Sequence, residues 1–301
     1  MAEKDSRGFI LTMRERKLPK EWGGIVPTKV FFSEAKRIVD EAREKGLIIR
    51  ILGGVAIRMH CKEQEELAKR LSRLVGTSYI KGEQEFTDLD FAAYRKQREK
   101  LPDFFFELGY LKRKTTIATA ASERHIYFHK DGWFHLDIFF DKLLMNHDVP
   151  FIGRLELDYP TITPTDLFLE KVQILQFTEK DLKDTWLLLR AHKISSKEGE
   201  TINAEYISEI LSKDWGFYHT VTNNIKGIRD LAEESKELRK EDKKDIITKL
   251  DVISERIEEK PKSFSWKMRA KIGTKKQWYR PVETDETVGG FGIWRLKEKK
   301  N

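Results

Sequence analysis

Thr87-Asp88-Leu89-Asp90 opens an apolar run, residues 87–94, which the sequence predicts to be a β-strand. Alternate side chains share one face of a strand, so Asp88 and Asp90 point the same way while Leu89 points into the core. Such a carboxylate pair suits one or two Mg²⁺ ions, because Mg²⁺ binds through one or two carboxylates while substrate phosphates complete its octahedron. A strand end with two solvated aspartates is the alternative interpretation.

The segment before this strand predicts another strand that ends in a glycine turn. Residues 47–52 are apolar except for Arg50, Gly53-Gly54 follows, and a helix is expected from near Val55. Backbone N–H groups where a glycine turn opens a helix can bind phosphate, although an isolated Gly-Gly pair is more often only a turn. Arg58 lies on this helix, where it is either a surface residue or a phosphate ligand.

Three strands are predicted after residue 110, at residues 111–117, 124–129 and 133–140. The last two are joined by Lys130-Asp131-Gly132, a hairpin signal. Apolar residues at alternate positions of the third strand leave Asp137 on its other face, so a third strand carboxylate is expected. His125, His129 and His135 are a weaker alternative metal set, since no cysteine accompanies them.

Helices are predicted around these strands, at residues 33–45 with Ser33 as N-cap, at 62–74, and at 95–108 with an interruption at Pro102. From residue 161 the chain becomes helical. Thr163 and Thr165 are candidate caps for a helix to about residue 176, Thr178-Glu179-Lys180-Asp181 resembles a capping box, and residues 203–211 and 246–257 have helical apolar spacing.

Lys171 lies inside the apolar stripe of the first of these helices, flanked by Leu167 and Leu175. A lysine in an apolar stripe needs either an anionic partner or a route by which its ammonium reaches water. The sequence leaves both alternatives open.

Composition favours a soluble protein of a reducing compartment. The 301 residues contain one cysteine, which excludes a disulfide framework and a cysteine-based zinc cluster. The N-terminus has no apolar signal region, and no window approaches the roughly 18 apolar residues that a membrane span requires. We therefore expect a cytoplasmic protein without a membrane partner.

The net charge of +7 belongs to the C-terminal segment. Residues 261–301 contain eleven Lys and Arg against four Asp and Glu, so the remainder of the chain is neutral. Trp266, Trp278, Tyr279, Phe291 and Trp294 are interleaved with these basic residues. Phosphate contacts and base stacking are one use of such a segment, and packing of its aromatic residues on the preceding helices is the alternative.

In its Gly-Gly turn, its DxD strand and its later strand aspartate, the chain resembles the DNA polymerase-β-type nucleotidyltransferase superfamily. Within that superfamily it is most similar to AbiEii/MenT-type toxin nucleotidyltransferases. The resemblance covers about residues 30–191 and implies that Lys171 and Asp184 are the family's lysine and aspartate from the helical half.

The expected fold class is α+β, a polymerase-β-like mixed sheet with flanking helices, followed by a helical C-terminal domain. The expected domains are an irregular leader, a nucleotidyltransferase core, a helical domain and a basic aromatic segment, at residues 1–28, 29–160, 161–260 and 261–301.

The expected site uses two Mg²⁺ or Mn²⁺ ions and an NTP. Asp88, Asp90 and Asp137 would hold the metal ions, with Asp137 also helping to deprotonate the acceptor hydroxyl. The expected nucleotide-binding residues are Gly53, Gly54, Thr87, Arg58 and Lys171, and Asp184 completes the catalytic set.

The expected reaction moves an NMP to a hydroxyl of RNA, the 3′ end of a tRNA. The resemblance also implies that the chain is the toxin of a toxin-antitoxin pair, with an antitoxin protein as partner. Two alternatives stay open at this point. One is modification of a small molecule such as an antibiotic, and the other is a non-catalytic nucleotide-binding module.

Overall fold

The computed structural model describes residues 17–72, 85–113 and 124–282. The chain divides into two compact units. Unit 1 is drawn from residues 1–56, 74–142 and 150–162. Unit 2 is drawn from residues 57–73, 143–149 and 163–301.

A five-stranded mixed sheet forms the centre of unit 1. Its strands are β1 (Ile49–Leu52), β2 (Asp88–Ala93), β3 (Tyr110–Lys112), β4 (Arg124–His129) and β5 (His135–Phe140), in the order β1-β2-β5-β4-β3. The β2–β5 pair is parallel, and the other three pairs are antiparallel. The DxD strand therefore lies directly beside the strand that carries Asp137.

Helix α1 (Thr28–Glu44) packs on β1 and turns a fully buried apolar face inward, through Phe31, Ala35, Ile38, Val39 and Ala42. Helix α2 (Gly53–His60) follows β1 without an intervening loop and continues into unit 2. Helix α4 (Leu101–Glu107) covers β3 and buries Phe104 and Phe105. Burial of these two rings removes apolar area from water and so stabilises the packing of α4 on the sheet.

Unit 2 is mainly helical. Its helices are α3 (Glu65–Arg70), α5 (Pro164–Val172), α6 (Glu179–Ala191), α7 (Ala204–Leu211), α8 (Trp215–Glu234), α9 (Lys240–Glu259) and α10 (Phe264–Ile272). The apolar residues predicted at helical spacing on α9 are fully buried, and α9 packs against α6, α7 and α8. These residues are Ile246, Leu250, Ile253 and Ile257. Strands β6 (Lys142–Leu144) and β7 (Asp148–Pro150) form one two-stranded sheet, and β8 (Lys193–Ser195) and β9 (Thr201–Asn203) form another.

Two predicted caps are confirmed. The Thr163 side chain accepts from Asp166 N at the start of α5. Thr178 and Asp181 form a capping box at the start of α6. Each cap satisfies backbone N–H groups that the first helical turn leaves without a partner.

Several predicted boundaries are wrong. Helix α1 begins at Thr28 after Pro27, and Ser33 lies inside the helix, where its hydroxyl donates to Val30 O. Pro102 lies in the first turn of α4 instead of interrupting a helix, because an N–H is not needed there. The helix predicted at 62–74 is a 3₁₀ turn followed by α3. Of the strand predicted at 111–117, residues 114–117 lie outside the described part.

The predicted fold class is confirmed as α+β, with a mixed sheet, flanking helices and a helical C-terminal region. Among the described residues, none of the helices is both apolar enough and long enough to cross a bilayer.

Candidate active site

Three carboxylates meet on one face of the unit 1 sheet. Asp90 pairs in register with Asp137 across the parallel β2–β5 ladder, and Asp88 precedes Asp90 by two residues. Because side chains alternate along a strand and registered neighbours share a face, all three carboxylates project from the same side. Asp88 and Asp90 are half-buried, whereas Asp137 is buried.

Asp137 is the buried member of the three carboxylates. Its Oδ2 accepts from Arg124 Nη1 at 3.0 Å, whereas its Oδ1 is buried and has no hydrogen-bond partner among the described residues. Burial raises the pKa of Asp137, and the attraction of Arg124 and His135 offsets that effect only in part. A cation beside Oδ1 would therefore stabilise the ionised form of this carboxylate.

Asp88 is oriented by its immediate neighbours. Thr87 Oγ1 donates to Asp88 Oδ1 at 3.2 Å, and His135 Nε2 lies 3.7 Å from Asp88 Oδ2. The His135 contact follows from the β2–β5 register, which pairs Asp88 with His135 directly. Of the two aspartates on β2, Thr87 therefore contacts Asp88.

Gly53 meets Asp90 at the end of β1. Its φ of +71° lies in the left-handed region, and a Cβ built there would lie 2.7 Å from Asp90 Oδ2. Glycine alone satisfies both conditions, since any side chain would collide with the carboxylate and strain the backbone. The first turn of α2, with Gly53 and Gly54, therefore begins against the carboxylate face.

Lys171 and Asp184 lie together in unit 2. Lys171 Nζ is 3.1 Å from Asp181 Oδ1, 3.4 Å from Asp184 Oδ2 and 3.9 Å from Glu170 Oε1. Burial by itself would lower the pKa of Lys171, and attraction to Asp181, Asp184 and Glu170 outweighs it, so the pKa is raised. Of the two alternatives for Lys171, the structure shows the anionic partner.

Arg58 is also assigned to unit 2, on α2, and it is buried. The interpretation of Arg58 as a surface residue is therefore wrong.

No protein-family model matches this chain, and no curated protein matches it in sequence. Among solved structures, the antibiotic-resistance factor ANT(2'')-Ia, determined in solution, aligns with 55% of this chain and 84% of its own, at 15% identity and a TM-score of 0.32. A likeness of this size establishes neither a common fold nor a common activity.

The described part of the basic segment packs on other elements of unit 2. Trp278 Nε1 donates to Thr220 Oγ1 on α8 at 3.1 Å, and Trp266 meets the ring of Tyr218 at a centroid distance of 5.1 Å. Arg280 pairs with Asp148 at 2.9 Å. These residues therefore follow the interpretation in which the aromatic side chains of the segment pack on the preceding helices. Phe291 and Trp294 lie outside the described part.

Sequence reasoning missed three neighbours of the predicted residues. Arg124 contacts Asp137, His135 contacts Asp88, and Asp181 contacts Lys171. The capping box is the sequence signal for Asp181, because it places this residue in the first turn of α6. Arg124 and His135 required the strand registers, which pattern reasoning does not supply.

Proposed function

We propose that this chain is a metal-dependent nucleotidyltransferase, which moves an NMP from an NTP to a hydroxyl of an acceptor. The observation that supports it best is the face on which Asp90 and Asp137 are registered neighbours, Asp88 lies two residues away, and Gly53 abuts Asp90. Three carboxylates on adjacent strands beside a helix start provide both a cation site and backbone donors for phosphate.

The residues fit Mg²⁺ or Mn²⁺. Carboxylate oxygens are the ligands that these hard ions prefer, and the buried Oδ1 of Asp137 lacks a hydrogen-bond partner within the described ranges. Asp88, Asp90 and Asp137 are the proposed ligands. When bound, two such ions would stabilise the attacking oxygen and the leaving oxygen of an in-line displacement.

In the proposed reaction, the acceptor oxygen forms a bond to the α-phosphorus while the bond from that phosphorus to the pyrophosphate oxygen breaks. Asp137 is proposed to take up the hydroxyl proton, because its carboxylate lies beside Asp90 on the same face of the sheet. Thr87 holds Asp88 in position, and the N–H groups of Gly53 and Gly54 are proposed to bind phosphate oxygens.

Lys171 and Asp184 are proposed members of the nucleotide site, as the family resemblance implies. Arg58 is proposed as a phosphate ligand because it lies on the helix that Gly53 and Gly54 open. The 3.4 Å ion pair supports the view that Lys171 and Asp184 act together. A Lys171→Arg variant that keeps the charge should retain more activity than Lys171→Met, with the loss seen mainly in the KM for NTP.

Transfer of label from NTPs labelled at the α-phosphate to an RNA pool tests the proposed reaction. Asp88→Asn combined with Asp90→Asn should lower the rate at least roughly a hundredfold, because charge stabilisation at the reacting centre is lost. Asp103→Asn, at an exposed position of unit 1, is the matched control and should keep the wild-type rate. Wild-type transfer by the double variant would refute the assignment.

We further propose that the acceptor is RNA, with a tRNA 3′ end as the preferred substrate. The described part of the basic segment, residues 261–282, contains seven Lys and Arg and no Asp or Glu. Lys267, Lys271 and Lys275 are exposed there. Exposed lysines supply sequence-independent affinity for phosphates.

Replacing Lys267, Lys271 and Lys275 with Gln tests the acceptor without removing the packed aromatic residues. The slope of log K for single-stranded RNA against log salt should decrease by about 2, at roughly 0.7 per phosphate contact. Replacing the exposed Lys236, Lys240 and Lys244 with Gln is the matched control. If the salt slope of the triple variant were unchanged and the chain transferred label to a small hydroxylated molecule, RNA would be excluded as the acceptor.

The toxin interpretation adds an antitoxin protein as a proposed partner. If it holds, expression of the chain alone should arrest bacterial growth, and co-expression of the product of the neighbouring gene should relieve the arrest. Growth unaffected by the active chain would contradict it.

A further inference from the structure

Two histidines and a glutamate of unit 2 converge at a point remote in sequence from the aspartate strands. His60 ends α2, His192 is the C-cap of α6, and Glu200 immediately precedes β9. Glu200 Oε2 lies 3.0 Å from His60 Nδ1 and 3.3 Å from His192 Nε2. The potential ligand atoms of the three residues all lie within 4.8 Å of one another.

These separations match a small tetrahedral ion. Zinc binds imidazole nitrogen and carboxylate oxygen at about 2.0–2.2 Å, which places two ligands of a tetrahedron about 3.4 Å apart. The separations of 3.0 and 3.3 Å from Glu200 Oε2 to the two imidazole nitrogens are close to that value.

The tautomer of His192 supports a cation at the same point. His192 Nδ1 lies 2.9 Å from Leu188 O, and a carbonyl oxygen only accepts, so Nδ1 carries the proton. In the neutral ring, Nε2 then presents a lone pair toward the Glu200 carboxylate, which also only accepts. Histidines that bind metals are commonly oriented in this way by a carbonyl on the other ring nitrogen.

We propose that His60, His192 and Glu200 form a binding site for a first-row transition metal ion, with Zn²⁺ as the expected occupant. Two imidazoles and one carboxylate are a zinc ligand set, whereas Mg²⁺ prefers oxygen alone. The two imidazole side chains are only 5% and 3% exposed, while Glu200 is 70% exposed. A fourth position therefore opens to solvent on the Glu200 side, for water or an incoming ligand.

This site is separate from the carboxylates of β2 and β5 in both composition and sequence. It joins the end of α2 to the end of α6 and to the residue before β9, so a bound ion would cross-link three segments of unit 2. Ion binding should therefore raise the thermal midpoint of the chain, since a ligand that binds only the folded state stabilises it.

Calorimetric titration of tag-free, chelator-treated protein with Zn²⁺ tests the proposal. The titration uses a chain that carries Asp88→Asn and Asp90→Asn, because these changes remove the carboxylate pair of β2 as a competing metal site. One Zn²⁺ per chain should bind, and X-ray absorption at the zinc edge should show imidazole scattering. Glu200→Gln and His60→Gln should each weaken binding by more than the roughly 10- to 100-fold cost of losing an outer-shell partner.

Glu63→Gln is the matched control, because Glu63 is an exposed carboxylate three residues after His60. It should bind Zn²⁺ with the affinity of the parent chain. The isosteric change at the exposed Glu200 should leave the metal-free chain folded, as circular dichroism would show. Absence of stoichiometric binding, or equal affinity in Glu200→Gln, would show that the three side chains form only a hydrogen-bonded cluster and would overturn the proposal.

Discussion

Gly53 shows how a single residue couples backbone conformation to the carboxylate face. It combines a left-handed φ with contact distance to Asp90, and the sequence signal for it was the Gly-Gly pair between an apolar run and a helix. Strand alternation predicted that Asp88 and Asp90 share a face. The contact of Arg124 with Asp137 was not predictable, because it depends on the β4–β5 register.

Gly53→Ala should destabilise the chain more than Gly46→Ala. Both glycines have φ near +70°, but a Cβ at Gly46 meets nothing within 4 Å. Left-handed strain alone costs about 1–2 kcal/mol, so Gly46→Ala measures that term and the excess at Gly53 measures the collision with Asp90. Urea titrations of the two variants test this, and equal losses would show that the close approach has no energetic weight.

At the scale of elements, caps and apolar periodicity predicted most helices, whereas ends set by proline were misplaced. Pro27 immediately precedes α1 and Pro102 lies in the first turn of α4, although an isolated proline is as readily interpreted as a helix break. The α5–α6 pair shows what periodicity cannot supply. The apolar periodicity of α5 predicts the buried position of Lys171, but its partners Asp181 and Asp184 come from the next helix.

Lys171→Met should destabilise unit 2 by about 3–5 kcal/mol, because it leaves buried carboxylates without a counter-charge. Adding Asp184→Asn to Lys171→Met should recover part of that loss. Lys213→Met is the control, since Lys213 is 66% exposed in its pair with Glu209 and should contribute at most about 0.5 kcal/mol. Chemical denaturation of the three variants measures these differences, and a small loss in Lys171→Met would contradict the network.

At the scale of the whole molecule, the fold class was predictable but the interleaving of the units was not. Residues 57–73 and 143–149 belong with the helical unit although they are flanked by segments of the sheet unit. Their assignment depends on contacts between residues far apart in the chain, which local patterns do not encode. Both units nevertheless bury neutral histidines, which gives the molecule a common response to acid.

The chain should lose stability as the pH falls from about 6.5 to about 4. Burial lowers the pKa of His147 to about 4, from an ordinary value of 6.5, and burial has the same effect on His125. Within this window the unfolded state binds more protons than the folded state, so acid favours unfolding. The effect at His147 amounts to roughly 3 kcal/mol.

His147→Gln should therefore flatten the decline in unfolding free energy between pH 7 and about pH 4, as urea titrations at several pH values would show. An equally steep decline in His147→Gln would show that His147 does not carry this dependence.

We propose nucleotidyl transfer at Asp88, Asp90 and Asp137, and the fate of two labels tests that claim. With Mg²⁺, NTP and an RNA pool, a label at the α-phosphate should move to the acceptor, while a label at the γ-phosphate should leave in pyrophosphate. Asp137→Asn should slow the transfer by about 10²–10⁴-fold, the range for loss of a general base. A γ-label on the acceptor, or a wild-type rate in Asp137→Asn, would contradict the claim.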